Sequence, residues 1–283
     1  QDHLRNQAVL TMATINVSME EAPRFGIVGV DAENRVTSFV EKPAQPPSTL
    51  ANMGVYLFNT DILSAALLED HEKPNSAHDF GKDILPGLIK AGERVFAYPY
   101  AGYWMDVGTA LSYWQAHMDQ LEDKPPFDLN DRSWVIHTRT EERPPVWLAR
   151  GAQVENSMIC DGCEIRPGAQ VVRSVLSPGV LVKPGAVIKE SIILTDSVIE
   201  EGAVVERAIL DKKVRIEKNA HVGAITSEGE PALTMVGKNS VVPGGTIVEP
   251  GAIIGTDVIE ADYASNVVHS DNYVITKRPA HEV

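Results

Sequence analysis

Gly185-Ala186-Val187-Ile188-Lys189-Glu190-Ser191-Ile192-Ile193-Leu194-Thr195-Asp196-Ser197-Val198-Ile199-Glu200-Glu201 is a unit of 17 residues, and Gly202-Ala203 begins it again. The same start recurs at Gly151-Ala152 and Gly168-Ala169, and Asn219-Ala220 is a fifth. The fourth residue of each unit is apolar (Val154, Val171, Ile188, Val205, Val222), as is the ninth of the first four (Ile159, Leu176, Ile193, Leu210). One apolar position every five to six residues matches neither the helical period nor the two-residue alternation of a long strand. It fits a three-sided coil with one short strand per side, stacked on its neighbours. Toward the C-terminus the spacing becomes six, at Val236, Val242, Val248 and Ile254, which is a hexapeptide repeat. Residues 148–283 are therefore expected to form a left-handed parallel β-helix, with Val154, Val171, Ile188, Val205 and Val222 pointing inward. Ser227-Glu228-Gly229-Glu230-Pro231 interrupts the repeat and is expected to bulge as a loop.

Upstream the pattern changes. Leu111, Trp114, Met118 and Leu121 share one face of a helix predicted over Ala110–Glu122, with Thr109 as its cap. Lys124-Pro125-Pro126 and Glu141-Glu142-Arg143-Pro144-Pro145 restrict the chain to extended conformations, so 124–147 reads as a connector, pinned down by Trp134 and Trp147. Residues 1–123 carry short apolar strands, among them Val9–Ile15, Arg35–Val40 and Val95–Tyr100, interleaved with helix, an α/β arrangement.

Four phrases in that first part fall at strand ends, where an α/β sheet presents side chains to a ligand. They are Val40-Glu41-Lys42-Pro43, Asn52-Met53-Gly54-Val55-Tyr56, His78-Asp79-Phe80-Gly81-Lys82-Asp83 and Tyr103-Trp104-Met105-Asp106-Val107-Gly108-Thr109. The ammonium of Lys42 is a compact point charge suited to a phosphate, and Glu41 beside it can orient the lysine and accept from sugar hydroxyls. Asp106, between bulky apolar neighbours and before a capped helix, suits Mg²⁺, a hard cation that bridges carboxylates to substrate phosphates. Each phrase alone reads as an ordinary strand exit or turn. Their ordered combination points to a sugar-phosphate and metal site.

With these phrases, and with Arg24-Phe25-Gly26-Ile27-Val28, the chain from about Thr11 onward resembles the second two-thirds of bacterial glucose-1-phosphate adenylyltransferase. The resemblance implies the C-terminal part of a Rossmann-like nucleotidyltransferase domain followed by a left-handed β-helix. It implies transfer of AMP from ATP to glucose 1-phosphate, giving ADP-glucose and pyrophosphate for glycogen synthesis. By the same carry-over Glu41 contacts the sugar and Lys42 its phosphate; Gly26, Asn52, Tyr56, Asp79, Phe80 and Trp104 complete the substrate site. Asp106 is the implied Mg²⁺ ligand and, with Lys42, a catalytic residue. The family usually has Ser where this chain has Asn52, which keeps donor and acceptor capacity on a larger side chain. A homotetramer and allosteric control by metabolites are implied by the resemblance only. The glycine-rich nucleotide loop of such enzymes is not found here, and the chain opens without Met, so the sequence reads as a fragment expected to be inactive alone. Asp2-His3 lacks the preceding glycine of the family's metal motif and is assigned no role.

Acidic residues number 39 against 25 basic, a net charge of −14, and the basic residues form no run, so nucleic acid and anionic membranes are poor partners. No stretch approaches the roughly 20 apolar residues of a membrane span, and a cytoplasmic protein is expected. Cys160 and Cys163 stand without the further ligands a structural zinc needs and read as reduced thiols. Three other functions stay open on these residues: a non-catalytic regulatory or assembly subunit, a nucleotidylyltransferase for another sugar phosphate or base, and a hexapeptide-repeat acyltransferase. The last would need a histidine base, for which the β-helix offers His221 and His269, with His281 in the tail.

Overall fold

The computed structural model describes residues 1–138, 141–225 and 232–279. The chain divides into two compact units, Gln1–Trp104 and Met105–Val283. In the first, strands β1 (Leu10–Asn16), β2 (Gly26–Val30), β3 (Val36–Glu41), β4 (Leu50–Phe58) and β5 (Val95–Pro99) form one sheet in the order β3-β2-β4-β1-β5. β1 runs parallel to β5 and antiparallel to β4, while β2 pairs antiparallel with β3 and β4. Leu10, Met12, Val28, Val36, Leu85, Val95 and Ala97 pack as the core of this unit, the helices being α1 (Asp2–Arg5), α2 (Thr60–His71) and α3 (Leu85–Lys90). The last predicted strand ends at Pro99, one residue short of expectation, although the Tyr100 N–H still donates to the Thr14 carbonyl at 2.7 Å.

His3 is buried, and both ring nitrogens are spent within this fold, Nδ1 on Thr11 Oγ1 at 2.8 Å and Nε2 on Asn59 Oδ1 at 3.1 Å. That bonding is a structural use of the ring.

The second unit begins with α4 (Ala110–Asp119), closed at its start by a reciprocal pair: the Ser112 N–H donates to Thr109 Oγ1 at 3.1 Å and the Thr109 N–H to Ser112 Oγ at 3.2 Å. The helix ends at Asp119 rather than Glu122, and a turn carries the periodicity to Leu121. Trp114, Met118 and Leu121 pack on Ile192, and the Trp114 Nε1–H donates to the Glu190 carbonyl at 2.7 Å. Packing therefore groups this helix with the repeats that follow it.

Those repeats form a parallel β-helix whose sheets, among the described residues, have seven, seven and six short strands. Spacing by 17 becomes register: Val154, Val171, Ile188, Val205 and Val222 are successive partners across one sheet. The corners explain the polar residues. Gly151, Gly168, Gly185, Gly202 and Asn219 all have positive φ, and so do Asn156, Arg173, Glu190 and Arg207 at a second corner and Gly162, Gly179, Asp196 and Lys213 at a third. Glycine and asparagine adopt that conformation at low cost, which is why they mark the repeat. Inside the corners a serine ladder closes the hydrogen bonding. Ser174 and Ser191 are fully buried; each hydroxyl donates to a carbonyl two residues back and accepts the N–H of the residue 17 further on.

Two expectations need correction. Val171, Ile188, Val205 and Val222 are fully buried, but Val154 is 37 % exposed, since its strand is the edge of its sheet with a neighbour on one side only. Trp134 is 81 % exposed and pins nothing, and Trp147 is 48 % exposed with the Arg166 guanidinium over its ring. Trp147 does anchor the end of the connector, its backbone pairing with Glu164, and Arg143 holds the connector further back, donating to Asp196 at 2.7 Å and to Glu141 at 2.8 Å. A side chain at Gly162 or Gly179 would collide with Arg143, so those corner glycines also make the groove in which it lies. Cys160 and Cys163 are free thiols; Cys163 is buried, its thiol donates to the Ser177 carbonyl, and burial pushes both thiols up. The expected Ser227–Pro231 loop and His281 lie outside the described residues.

Candidate sugar-phosphate site

The end of β3 delivers Glu41 and Lys42. Glu41 is in register with Gly26 on β2, and the backbone N–H of Lys42 donates to the Phe25 carbonyl at 3.1 Å. The Glu41 carboxylate lies between two glycines: a Cβ at Gly26 would stand 2.8 Å from its Oε2, and one at Gly81 2.6 Å. Gly26 thus serves the site by leaving room, and Gly81 does the same from the far side. Neither can carry a side chain without displacing that carboxylate. Lys42 has φ of 45°, a conformation that costs a non-glycine residue on the order of 1 kcal/mol or more. It directs the side chain outward, 66 % exposed, with Nζ 3.9 Å from Glu41 Oε1. An exposed ammonium beside a half-held carboxylate is free to meet a phosphate.

β4 supplies the floor. Asn52 Nδ2–H donates to Tyr56 Oη at 2.6 Å and Asn52 Oδ1 accepts the Gly54 N–H at 3.2 Å, two bonds that together fix which way the amide faces. Tyr56 Oη then holds an acceptor's share already and keeps its own proton to give. Burial pushes the phenol up, the Asn52 bond opposes this, and the charges of Glu41 and Asp79 push it up further. Tyr56 therefore stays a neutral donor. Its ring stacks on Phe80 with centroids 5.8 Å apart and planes 13° apart, and Phe58 meets Phe80 at 6.1 Å. Trp104 packs edge-on against Phe25 at 5.7 Å, the residue whose carbonyl holds the Lys42 backbone.

Asp79 stands at the start of a short π-helical turn, Phe80–Ile84, and its carboxylate accepts the Lys82 N–H at 2.9 Å. Gly26, Glu41, Lys42, Asn52, Tyr56, Asp79, Phe80 and Trp104 are thus linked, directly or through Phe25, within the first unit. Sequence reasoning missed Gly81 and a polar cluster of Asp70, Ser76 and His78. His78 was inside a quoted phrase, but nothing in sequence ties Asp70 to it.

Asp106 belongs to the second unit, its carboxylate lying 3.1 Å from where a Cβ at Gly108 would be. Among the described residues no group of three His, Cys, Asp or Glu is placed to hold a metal. Asp106 offers a hard oxygen donor of the kind a divalent ion prefers, which as a single protein ligand fits a cation whose other ligands are phosphates and water. In the β-helix His221 is exposed, and His269 Nδ1 is 3.3 Å from Glu249 Oε1. No helix among the described residues is long and apolar enough to cross a membrane.

A mixed sheet followed by a hexapeptide β-helix is the architecture of the nucleotidyl transferase class with a C-terminal solenoid, and the two parts match it separately. Residues 1–123 match the family described as "Nucleotidyl transferase", and residues 147–242 match "GlmU-like, C-terminal hexapeptide". A glucose-1-phosphate adenylyltransferase of Thermotoga sp. (strain RQ2) is 41% identical over 282 residues, covering 97% of this chain and 67% of the relative. That of Thermosipho africanus is 47% identical over 163 residues, 58% of this chain and 39% of the relative; that of Desulforamulus reducens is 48% identical over 163 residues, 58% and 41%. The chain belongs to the glucose-1-phosphate adenylyltransferase family. Its match spans about two-fifths of the length of the Thermosipho and Desulforamulus relatives.

Proposed function

We propose that this chain carries the sugar-phosphate half of an enzyme that transfers AMP from ATP to glucose 1-phosphate, releasing pyrophosphate and forming ADP-glucose for glycogen synthesis. The observation that supports it most is the seating of Glu41 between Gly26 and Gly81, next to Lys42 and within charge range of Tyr56 and Asp79. In this reading the Tyr56–Phe80 stack is an apolar floor for one face of the sugar. Glu41, Asp79 and the Tyr56 hydroxyl sort its hydroxyl groups by donor and acceptor. Lys42 holds the phosphate, one of whose oxygens attacks the α-phosphorus of ATP as the bond to pyrophosphate breaks. No protein nucleophile is required; alignment of two anions and neutralisation of their charge are the catalytic demands.

Mg²⁺, bound through Asp106, would supply part of that neutralisation. The same reading makes the protein cytoplasmic and homo-oligomeric, with the β-helix as the surface on which subunits associate.

The test is a pair of substitutions in the enzyme that contains this chain. Lys42→Ala removes a charge-assisted bond present before and during reaction, so the KM for glucose 1-phosphate rises about 10- to 100-fold with kcat little changed. Asp106→Asn instead lowers kcat by orders of magnitude. Equal, small effects from both would leave the adenylyltransferase reading without its site.

A further inference from the structure

Asp70 sits in the last turn of α2, where a carboxylate faces the negative end of the helix dipole and is disfavoured. It is only 6 % exposed, so solvent does little to relieve that cost. Both carboxylate oxygens are committed: Oδ1 accepts the Ser76 hydroxyl at 2.7 Å and Oδ2 the His78 Nδ1–H at 2.8 Å. These bonds hold its carboxyl below the usual range, Ser76 contributing most. The Ser76 hydroxyl in turn accepts the His78 N–H at 3.0 Å, and His78 is held at φ of 53°, a conformation that other residues adopt only under constraint. The two residues that follow are Asp79 and Phe80. A misplaced carboxylate, a strained histidine and two site residues are therefore joined in one short run.

We infer that Asp70 is a positioning residue of the sugar-phosphate site, acting through Ser76 and His78 to fix the backbone turn that aims Asp79 and lays Phe80 on Tyr56. It touches no substrate itself. The inference rests on the reading of Asp79 and Phe80 as sugar-site residues, and it names a group that no motif of the site contains. A carboxylate suits this task because it accepts from two donors at once from a fixed, buried point, which a neutral amide cannot do without turning one N–H toward a donor.

Amide hydrogen exchange and glucose 1-phosphate titration on the 283-residue chain separate the parts of this inference. Asp70→Asn should accelerate exchange across 76–84 by about 10-fold or more and leave the β-helix peptides unchanged, as expected when one local turn loses its anchor. It should weaken glucose 1-phosphate about 10-fold, the size of one lost charge-assisted bond. His78→Ala, which leaves the Asp70–Ser76 bond in place, should give a weaker effect of the same kind, and the double substitution should cost no more than Asp70→Asn alone, because the histidine acts through that carboxylate. Ser76→Ala, which spares the Asp70–His78 pair, should give a smaller effect of the same kind. In turnover by the enzyme that contains this chain, Asp70→Asn should raise the KM for glucose 1-phosphate and leave that for ATP unaltered, whereas general unfolding would reduce kcat alone. Unchanged exchange over 76–84, or additive losses from Asp70 and His78, would overturn the inference. Accelerated exchange with no glucose 1-phosphate binding by the unaltered chain would support the positioning of the turn and count against the adenylyltransferase reading.

Discussion

Through the first coils of the β-helix, as far as Val222, a residue's partner in space is found by adding a constant, and in the N-terminal sheet it is not. Lys189 pairs with Glu206, Arg207 with Glu190 and Ser174 with Ser191, each across 17 residues. The candidate site gathers Gly26, Glu41, Tyr56, Asp79 and Phe80, whose spacings follow no rule. The first arrangement repeats one solution to the packing problem, so each coil supports its neighbours and no single coil is unique. The second assembles one site once, from strand ends that the sheet order brings together. Stability should accordingly be spread along the solenoid, while function should hang on a few single residues that no repeat duplicates.

The largest effect on stability should come from the middle of the solenoid. Ile193 is fully buried and pairs with Leu176 and Leu210 on either side. Ile193→Ala should destabilise by about 2–5 kcal/mol, as for other large-to-small changes in a closed core. Denaturant unfolding followed by a probe in the β-helix reads this directly. A cost below about 1 kcal/mol would mean the coils collapse around the cavity and are not the rigid stack described.

The ladder inside the corner should matter less. Ser191→Ala strips the acceptor from the buried Ala208 N–H, which lies 3.1 Å from the hydroxyl. Leaving that donor unsatisfied should cost about 1–3 kcal/mol. The series itself shows the limit: the ladder runs through Ser174 and Ser191, and its next position is Ala208, which needs the bond but offers none onward. Equal stability of Ser191→Ala and the unaltered chain would sink the ladder as a stabilising device and leave apolar packing alone.

Legibility followed the same division. Gly-Ala pairs and the hexapeptide run showed coils, register and inward faces, because a repeated constraint leaves a repeated trace. One of three corners was visible, the one where Gly recurs four times before Asn219; the third mixes Gly162 and Gly179 with Asp196 and Lys213. The corner at Asn156, Arg173, Glu190 and Arg207 was hidden because its residues share a backbone conformation and no chemistry. In the first unit the motif phrases named Glu41, Lys42, Tyr56, Asp79 and Phe80, yet not that Gly81 seats Glu41, nor that Asn52 spends its amide on Tyr56 and Gly54. Arg143 was read as part of a proline-rich connector, while its role comes from Asp196 far along the chain. Long-range single contacts leave no period, and tryptophan's usual habit of burial misled at Trp134.

The smallest expected effect is the sharpest test of the repeat. Val154 and Val171 occupy the same place in successive units and pair directly with one another, but the first is 37 % exposed and the second fully buried. Val171→Ala removes two buried carbons and should cost about 1.6 kcal/mol from the apolar transfer alone, with any residual cavity adding to it. Val154→Ala removes the same atoms from a side chain already in partial contact with water, at a strand with one neighbour, and should cost under about 1 kcal/mol. The two variants differ in nothing but position along the stack, so their difference in denaturant midpoint measures what a neighbouring coil contributes. If they cost the same, another part of the folded protein covers the first coil, and the solenoid has no free edge at Val154.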